Sequence, residues 1–398
     1  MSPKENSWDA SDGAFEDADS ASIGVTRGFR SLMECGLNAY KVRSVLLFCH
    51  KTGREVHLPS PTCQVYDSFV TSDGLIVGGG IIGCSIAWRL AQRGLKITVL
   101  DSGKIGHEAS LAGAGMLAPG SEAGPESPWA RRMVESLALY PGYVRELEAA
   151  SGVEIDFRIC GAYEYPSAEA SWEQLLARAG KQRELGIESV VDGERLYYPH
   201  DGQVKPRHIM NALKIAGGQL GVEFLENTPV RSIEPDGVVT DQGLIEAGFV
   251  VLAAGAWAGQ LMPEIPRSFP VKGHLLGYRM PAGSLPHIER RGHHYVLQRK
   301  CGFTIAGSTS EHVGFDRTLD LEIVRKLHEQ TKCYLPGVPD EWESAWIGFR
   351  PAVDGEPRVG RWGDTNVWLA YGHFRNGILL APLTAQLLAD QIAQIVLR

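Results

Sequence analysis

The 398-residue chain lacks most of the features that mark membrane, secreted or nucleic-acid-binding proteins. Basic residues are in the minority: 39 Lys and Arg against 47 Asp and Glu leave a net charge of −8. With no basic run, that balance argues against nucleic acid or an anionic membrane as a main partner. No apolar run approaches the roughly 20 residues that span a bilayer; the longest, around Val45 to Phe48, is far shorter. The first twenty residues hold six acids, one Lys and no apolar core, unlike a signal peptide. The seven cysteines are odd in number and scattered, form no Cys-x-x-Cys pair, and lie near no His at metal-ligand spacing. No metal is expected, and a reduced cytoplasmic setting with thiols as small core residues follows. What is present, 44% hydrophobic and 22% charged residues, describes a globular chain long enough for two or three domains.

Residues 1–69 differ in texture from the rest. Residues 1–22 are acidic and rich in Ser, Ala and Asp, which predicts disorder. Residues 42–49 and 55–58 flank Lys51-Thr52-Gly53 in the pattern of a hairpin. An enzyme-like unit begins near Val70, so residues 1–69 read as a dispensable extension or a mis-assigned start, with no function assigned. From Leu75 strand and helix patterns alternate, which predicts an α/β architecture. A strand is expected at 75–77, a helix at 81–93 and a second strand at 96–100. Helical periodicity returns at 129–150, 168–185, 209–220 and 321–334, and an apolar helix closes the chain at 379–397. Residues 227–254 read as short strands broken by Asp236-Gly237 and Gln242-Gly243 turns, and 280–310 and 343–349 as β-rich.

Gly78-Gly79-Gly80-Ile81-Ile82-Gly83 fits G-x-G-x-x-G, and its context gives the match weight. It follows an apolar strand, opens a helix, and precedes a second strand that ends at Asp101. Gly78 permits the tight turn, Gly80 lets backbone approach a pyrophosphate, and Gly83 lets the helix pack on the strand. The helix start offers N–H groups and partial positive charge to phosphates, and Asp101 suits a ribose hydroxyl. The competing reading is a strand–helix turn with incidental glycines. This unit alone does not separate a nicotinamide from a flavin dinucleotide. The run of small residues from Glu108 to Leu117 does more, because it leaves little side chain between backbone and a flat ligand.

Together with Val251-Leu252-Ala253-Ala254-Gly255-Ala256-Trp257 and Gly372-His373-Phe374-Arg375-Asn376-Gly377-Ile378-Leu379, these segments resemble the FAD-dependent amine and amino-acid oxidases of the D-amino-acid oxidase superfamily. Within it the likeness is nearest to the glycine oxidases of thiamine biosynthesis and runs from about Leu75 to the C-terminus. Its most specific pieces are the Ala-Gly-Met-Leu segment ending at Leu117, Gly348-Phe349-Arg350-Pro351, and the stretch 372–379. The resemblance implies an α/β fold: a Rossmann-like FAD-binding domain (70–125, 205–262 and 348–398) with an inserted α+β substrate domain on a mixed β-sheet (126–204 and 263–347).

For non-covalent FAD the resemblance implies contacts at Ile81 and Ile82 on the phosphate turn, and at Asp101 and Ser102 on the ribose. Ala109 and Ser110 follow, then Ala114, Gly115 and Met116 beneath the isoalloxazine. Val230 would contact the adenine side, with Gly255 also at the cofactor. His373, Phe374, Arg375, Asn376, Gly377, Ile378 and Leu379 would close over the ring. Gly377 opens the last helix, whose partial positive charge could stabilise an anionic reduced flavin. No Cys stands near 348–354, where sarcosine oxidases attach their flavin.

Arg350 lies between a β-rich segment and Pro351 in apolar surroundings. A partly buried guanidinium needs an anionic partner, either a substrate carboxylate or a structural Asp or Glu. The resemblance favours the substrate, and adds Arg375 and Tyr295 as further substrate-site residues. No catalytic side chain is required beyond the flavin itself, and His373 reads as structural rather than as a base. Ser310 stands where the family admits a bulkier apolar residue, and Ala118 follows Met116-Leu117 at the expected entrance. Small residues there would widen the pocket. His274 and Phe374 replace Gln and Tyr.

The implied reaction is oxidation of glycine, with sarcosine or D-alanine as further substrates, to an imine. The imine hydrolyses to glyoxylate and ammonia while dioxygen becomes hydrogen peroxide; a homotetramer is also implied. Two rivals remain, a flavin dehydrogenase using another acceptor and a non-catalytic dinucleotide-binding protein.

Overall fold

The computed structural model describes residues 72–397; the expected hairpin at 42–58 and the expected disorder of residues 1–22 lie outside the described residues. Strand Ser72–Val77 is apolar at four consecutive positions and lies at the centre of a parallel sheet. Ile97–Leu100 and then Glu223–Leu225 pair on one side of it, Gly243–Leu252 and then Val367–Tyr371 on the other, all parallel. A first strand with one pair of neighbours to either side is the doubly wound order of dinucleotide-binding sheets. The outer half of Gly243–Leu252 turns antiparallel to Gly237–Thr240, which pairs in turn with Val230–Glu234; Arg358–Arg361 edges the far side.

Helix Ile81–Ala91 is buried at ten of its eleven positions. Helices Pro206–Gln219 and Gly377–Val396 pack against it, and helix Ala130–Ser151 packs against both of those. Pro382 inside the last helix cannot donate to the Ile378 carbonyl four residues back. The Tyr140 hydroxyl donates to that carbonyl instead, at 2.5 Å, and Ser136 donates to the next one, Leu379, at 2.6 Å.

That last helix corrects one expectation. Residues 374–396 are long and apolar enough to cross a membrane by length and composition, so a run of spanning length does exist. Its apolar residues from Leu379 to Ile392 are instead largely buried, with helices Ile81–Ala91 and Ala130–Ser151 packed against it. The cysteines need a second correction: Cys84 is buried, but Cys301 and Cys333 are exposed.

A second, mixed sheet runs in the spatial order Ser344–Val353, Ser268–Arg279, Phe303–Gly307, His294–Gln298, Ile288–Arg291, Ala162–Tyr165, Leu196–Tyr198 and Val190–Val191. Its pairs are antiparallel except Ile288–Arg291 with Ala162–Tyr165. A small third sheet ties Met116–Leu117 to Gly202–Val204 and Phe157–Ile159. Helix Trp172–Arg183 starts in a reciprocal cap between Ser171 and Gln174, and helix Leu321–Tyr334 starts on Asp320, whose carboxylate accepts from Glu322 and Ile323.

Candidate active site

A cleft of about 440 Å³ runs from the turn after the first strand to the edge of the second sheet. At one end, Gly78 adopts φ +109°, and a Cβ there would lie 2.5 Å from the Ala253 carbonyl oxygen, so only glycine fits the turn. Gly83 does not border the cleft; it lets the helix sit on the strand, since a Cβ would approach the Gly78 oxygen to 2.0 Å. Helix N–H groups in the first turn have no intrahelical partner. The Ser110 hydroxyl accepts that of Ile81 at 2.8 Å, while Gly80 and Ile82 border the cleft beside it. Asp101 accepts from Gly79 and Gly103, each at 2.8 Å. Burial raises its carboxyl above the ordinary value despite those two N–H groups.

Ser102, Ala109, Val230 and Gly255 border the same end, and Ala114, Gly115 and Met116 border the middle. From the C-terminal stretch, His373, Phe374, Gly377 and Ile378 border it, whereas Asn376 does not and Leu379 is core. Phe374 is 38% exposed at φ +49°, an unusual conformation for an aromatic residue. His373 is buried, shares a hydrogen bond with Thr384 at 3.1 Å, and is pushed down by burial to about 4, so it is neutral at physiological pH.

Tyr295, Arg350 and Arg375 meet at the other end. Arg350 lies on Ser344–Val353 opposite Val271, and its guanidinium crosses Gly273 of the neighbouring strand, where a Cβ would sit 2.5 Å from Nη2. Nη1 donates to the Thr309 carbonyl at 3.0 Å and Nη2 to the Ser308 hydroxyl. Among the described residues no carboxylate lies within ion-pair distance of Arg350, so its charge has no structural partner. Burial, and then the nearby Arg375, lower its pKa from the ordinary value. Tyr295 is 5% exposed, and burial pushes its phenol up.

Arg375 differs. Its Nε and Nη2 both donate to Glu122 at 2.8 Å, so one of its two bidentate edges is already taken. Glu122 also accepts from Arg290 at 2.5 Å. Burial opposes its ionisation, but the two arginines outweigh burial and bring its carboxyl down to about 2. Glu122 ends the four-residue helix Pro119–Glu122 directly after the Ala-Gly-Met-Leu segment. No sequence signal marked it or Arg290, because the triad joins residues far apart in the chain.

A strap, residues 308–320, covers this end. The buried Nζ of Lys272 holds Asp316 at 2.8 Å. His274 pins both ends of the strap: its Nδ1 lies 2.8 Å from Glu311, and its Nε2 accepts the Asp320 N–H at 3.1 Å. His274 itself does not border the cleft, so replacing Gln there acts on the strap. Phe315 stacks on Trp257 at 4.7 Å, and Arg317 reaches across to Glu108 at 2.7 Å. Ser310 is exposed and Ala118 is 1% exposed in the core; neither borders the cleft, so neither widens it.

Comparison with known proteins agrees with this geometry. Residues 73–391 match the family described as FAD dependent oxidoreductase. The chain is 38% identical over 345 residues to the bifunctional protein ThiO/ThiG of Synechocystis, covering 81% of this chain and 52% of that protein. The chain therefore spans about half the length of that relative. It is 31% identical over 347 residues to the glycine oxidase of Bacillus licheniformis, covering 80% and 92% of the two chains. The crystal structure of glycine oxidase from Geobacillus kaustophilus superposes with a TM-score of 0.77 at 30% identity, covering 81% and 95%.

Proposed function

The chain belongs to the FAD dependent oxidoreductase family, and on that premise we propose that it oxidises glycine, and other small amino acids such as sarcosine or D-alanine, with dioxygen as acceptor. FAD is the cofactor of the family, and the cleft fits it. Gly78 and Gly80 leave backbone open where a pyrophosphate would lie, Asp101 faces the cleft at the ribose position, and no cysteine borders the cleft among the described residues. Ile81, Ile82, Ser110, Ala114, Gly115 and Met116 would hold it without a covalent bond.

The observation that carries the substrate reading is Arg350, a half-buried guanidinium without a carboxylate partner at the far end of that cleft. A buried cation is unfavourable until an anion meets it. Its planar fork matches a carboxylate bidentately. With Ser308 and Thr309 fixing the guanidinium, a bound carboxylate takes one orientation and the α-carbon is aimed along the cleft. Tyr295 closes the apolar side beside it. The Glu122 triad holds Arg375 in place while contributing a net positive field that favours anionic ligands. The strap, through Phe315 and Arg317, limits water. Bound FAD supplies the hydride acceptor and passes electrons to dioxygen. Orientation, rather than a side-chain base, is the chain's contribution; the substrate amine enters neutral, and the imine product hydrolyses in solution.

We extend the proposal to thiamine biosynthesis and to a homotetramer, as the sequence resemblance implied, and to a cytoplasmic setting, as the scattered cysteines implied. The test is anaerobic mixing of the yellow protein with millimolar glycine, sarcosine, D-alanine and D-proline separately, followed by air. Bleaching by glycine, then recovery of colour with hydrogen peroxide, supports the proposal. Bleaching without recovery in air would favour a dehydrogenase, and a yellow protein that none of the four bleaches would overturn the substrate assignment.

A further inference from the structure

Behind the Ala114–Met116 segment, on the side away from the cleft, lies a second guanidinium without a carboxylate. Arg299 sits at the hairpin turn between strands His294–Gln298 and Phe303–Gly307, a place where an arginine is ordinarily solvated, yet it is 3% exposed. Its Nη1 donates to the Gln203 side-chain oxygen at 2.8 Å, and its Nη2 donates to the Ala114 carbonyl. Among the described residues no acid pairs with it; Asp156 acts only at longer range, and burial brings the guanidinium down to about 10, still charged at neutral pH.

The consequence lies in one peptide. A trans peptide points its N–H opposite to its C=O. With the Ala114 carbonyl turned to Arg299, the Gly115 N–H turns the other way, towards the cleft that this segment borders. That N–H has no acceptor among the described residues. The next peptide is held as well, since the Gly115 carbonyl accepts the Val204 N–H at 2.9 Å. A cation on the carbonyl oxygen also polarises the amide, which makes its N–H a stronger donor.

We propose that Arg299 is a positioning residue for the flavin: it fixes and polarises the Ala114–Gly115 peptide so that the Gly115 N–H and the buried charge behind it favour the anionic, reduced ring. This rests on the family's cofactor and not on glycine as substrate.

The experiment uses FAD-loaded protein and no amino acid. Sulfite, which adds to oxidised flavin to give an anionic adduct, is titrated, and the flavin potential is measured by equilibration with redox dyes. Arg299→Gln is expected to weaken sulfite binding about tenfold or more and to lower the potential by about 30 mV, the two-electron equivalent of tenfold. Arg299→Lys, which keeps the charge, is expected to stay within about twofold of the parent. Gln203→Glu sets a carboxylate against an intact Arg299 and is expected to act like Arg299→Gln. A merely structural tether would lower thermal stability in these variants without moving the potential. If Arg299→Gln does not hold FAD, Arg299→Lys and Gln203→Glu decide between them. Unchanged potentials, or equal shifts in Arg299→Lys and Gln203→Glu, would overturn the proposal. Failure of glycine to bleach the flavin would leave these readings intact.

Discussion

The nucleotide end of the cleft is built from backbone and one carboxylate: a glycine turn, the first N–H groups of helix Ile81–Ala91, and Asp101. The reacting end is built from guanidinium groups, with Arg350 unpaired and Arg375 and Arg290 sharing Glu122. Backbone recognition is short-range and tolerates little change in shape, so it binds a ligand that never varies. Buried charge is long-range and selects by sign, so it suits a small substrate that enters and leaves. Substitutions at the two ends should therefore separate cofactor retention from substrate affinity.

The sharpest break is at Arg350. Two charged hydrogen bonds at about 1.5–3 kcal/mol each predict that Arg350→Ala raises KM for glycine by about 10²- to 10⁴-fold while FAD stays bound. Steady-state peroxide formation checks this, and an unchanged KM would place the carboxylate elsewhere. Next is Glu122→Gln, which leaves two buried arginines facing a neutral amide. Removing one partner of a buried ion pair costs about 3–5 kcal/mol, to be read as a fall in Tm.

The same carboxyl gives a pH signature. Its folded pKa near 2 lies below its ordinary 4.5, so its stabilisation is complete above about pH 4.5 and is lost as pH falls through 2. That acid-limb contribution should be missing in Glu122→Gln.

At the nucleotide end, Gly78→Val forces a positive φ that costs about 1–3 kcal/mol and a clash with Ala253. FAD should be lost on gel filtration, with little change in KM for whatever fraction retains it. The smallest effect expected is at Arg317, whose pair with Glu108 is largely exposed. Arg317→Ala should change stability by less than about 1 kcal/mol, and calorimetry should show Tm nearly unmoved.

The same contrast explains what could be read from the chain before its fold. The nucleotide end was legible because its demands fall on consecutive residues: Gly78, Gly80 and Gly83 at fixed spacing, then Asp101 one strand later. Helix Leu321–Tyr334 and the turns at Asp236-Gly237 and Gln242-Gly243 were legible for the same local reason. Strand Ser268–Arg279 was not. It is buried along nearly its whole length, so it has no alternation, and its Lys272, Gly273 and His274 look like loop. Those residues are there for partners elsewhere: Lys272 for Asp316, Gly273 for Arg350, and His274 for the strap. Glu122, Arg290 and Arg299 were missed likewise, because nothing near them in sequence reports which side chain they meet. Arg375 borders the cleft, but its partner, Glu122, was invisible.

Helix Gly377–Val396 lies on helix Ile81–Ala91, and strand Val367–Tyr371 closes the sheet begun by Ser72–Val77. Roughly 290 residues separate those two helices in the chain. At about 5–20 residues per second, synthesis leaves the first helix without its cover for roughly 15–60 s. During that interval the face of helix Ile81–Ala91 that packs on the last helix is open to any apolar surface in reach. The nascent chain thus carries a sticky half-site until helix Gly377–Val396 is made.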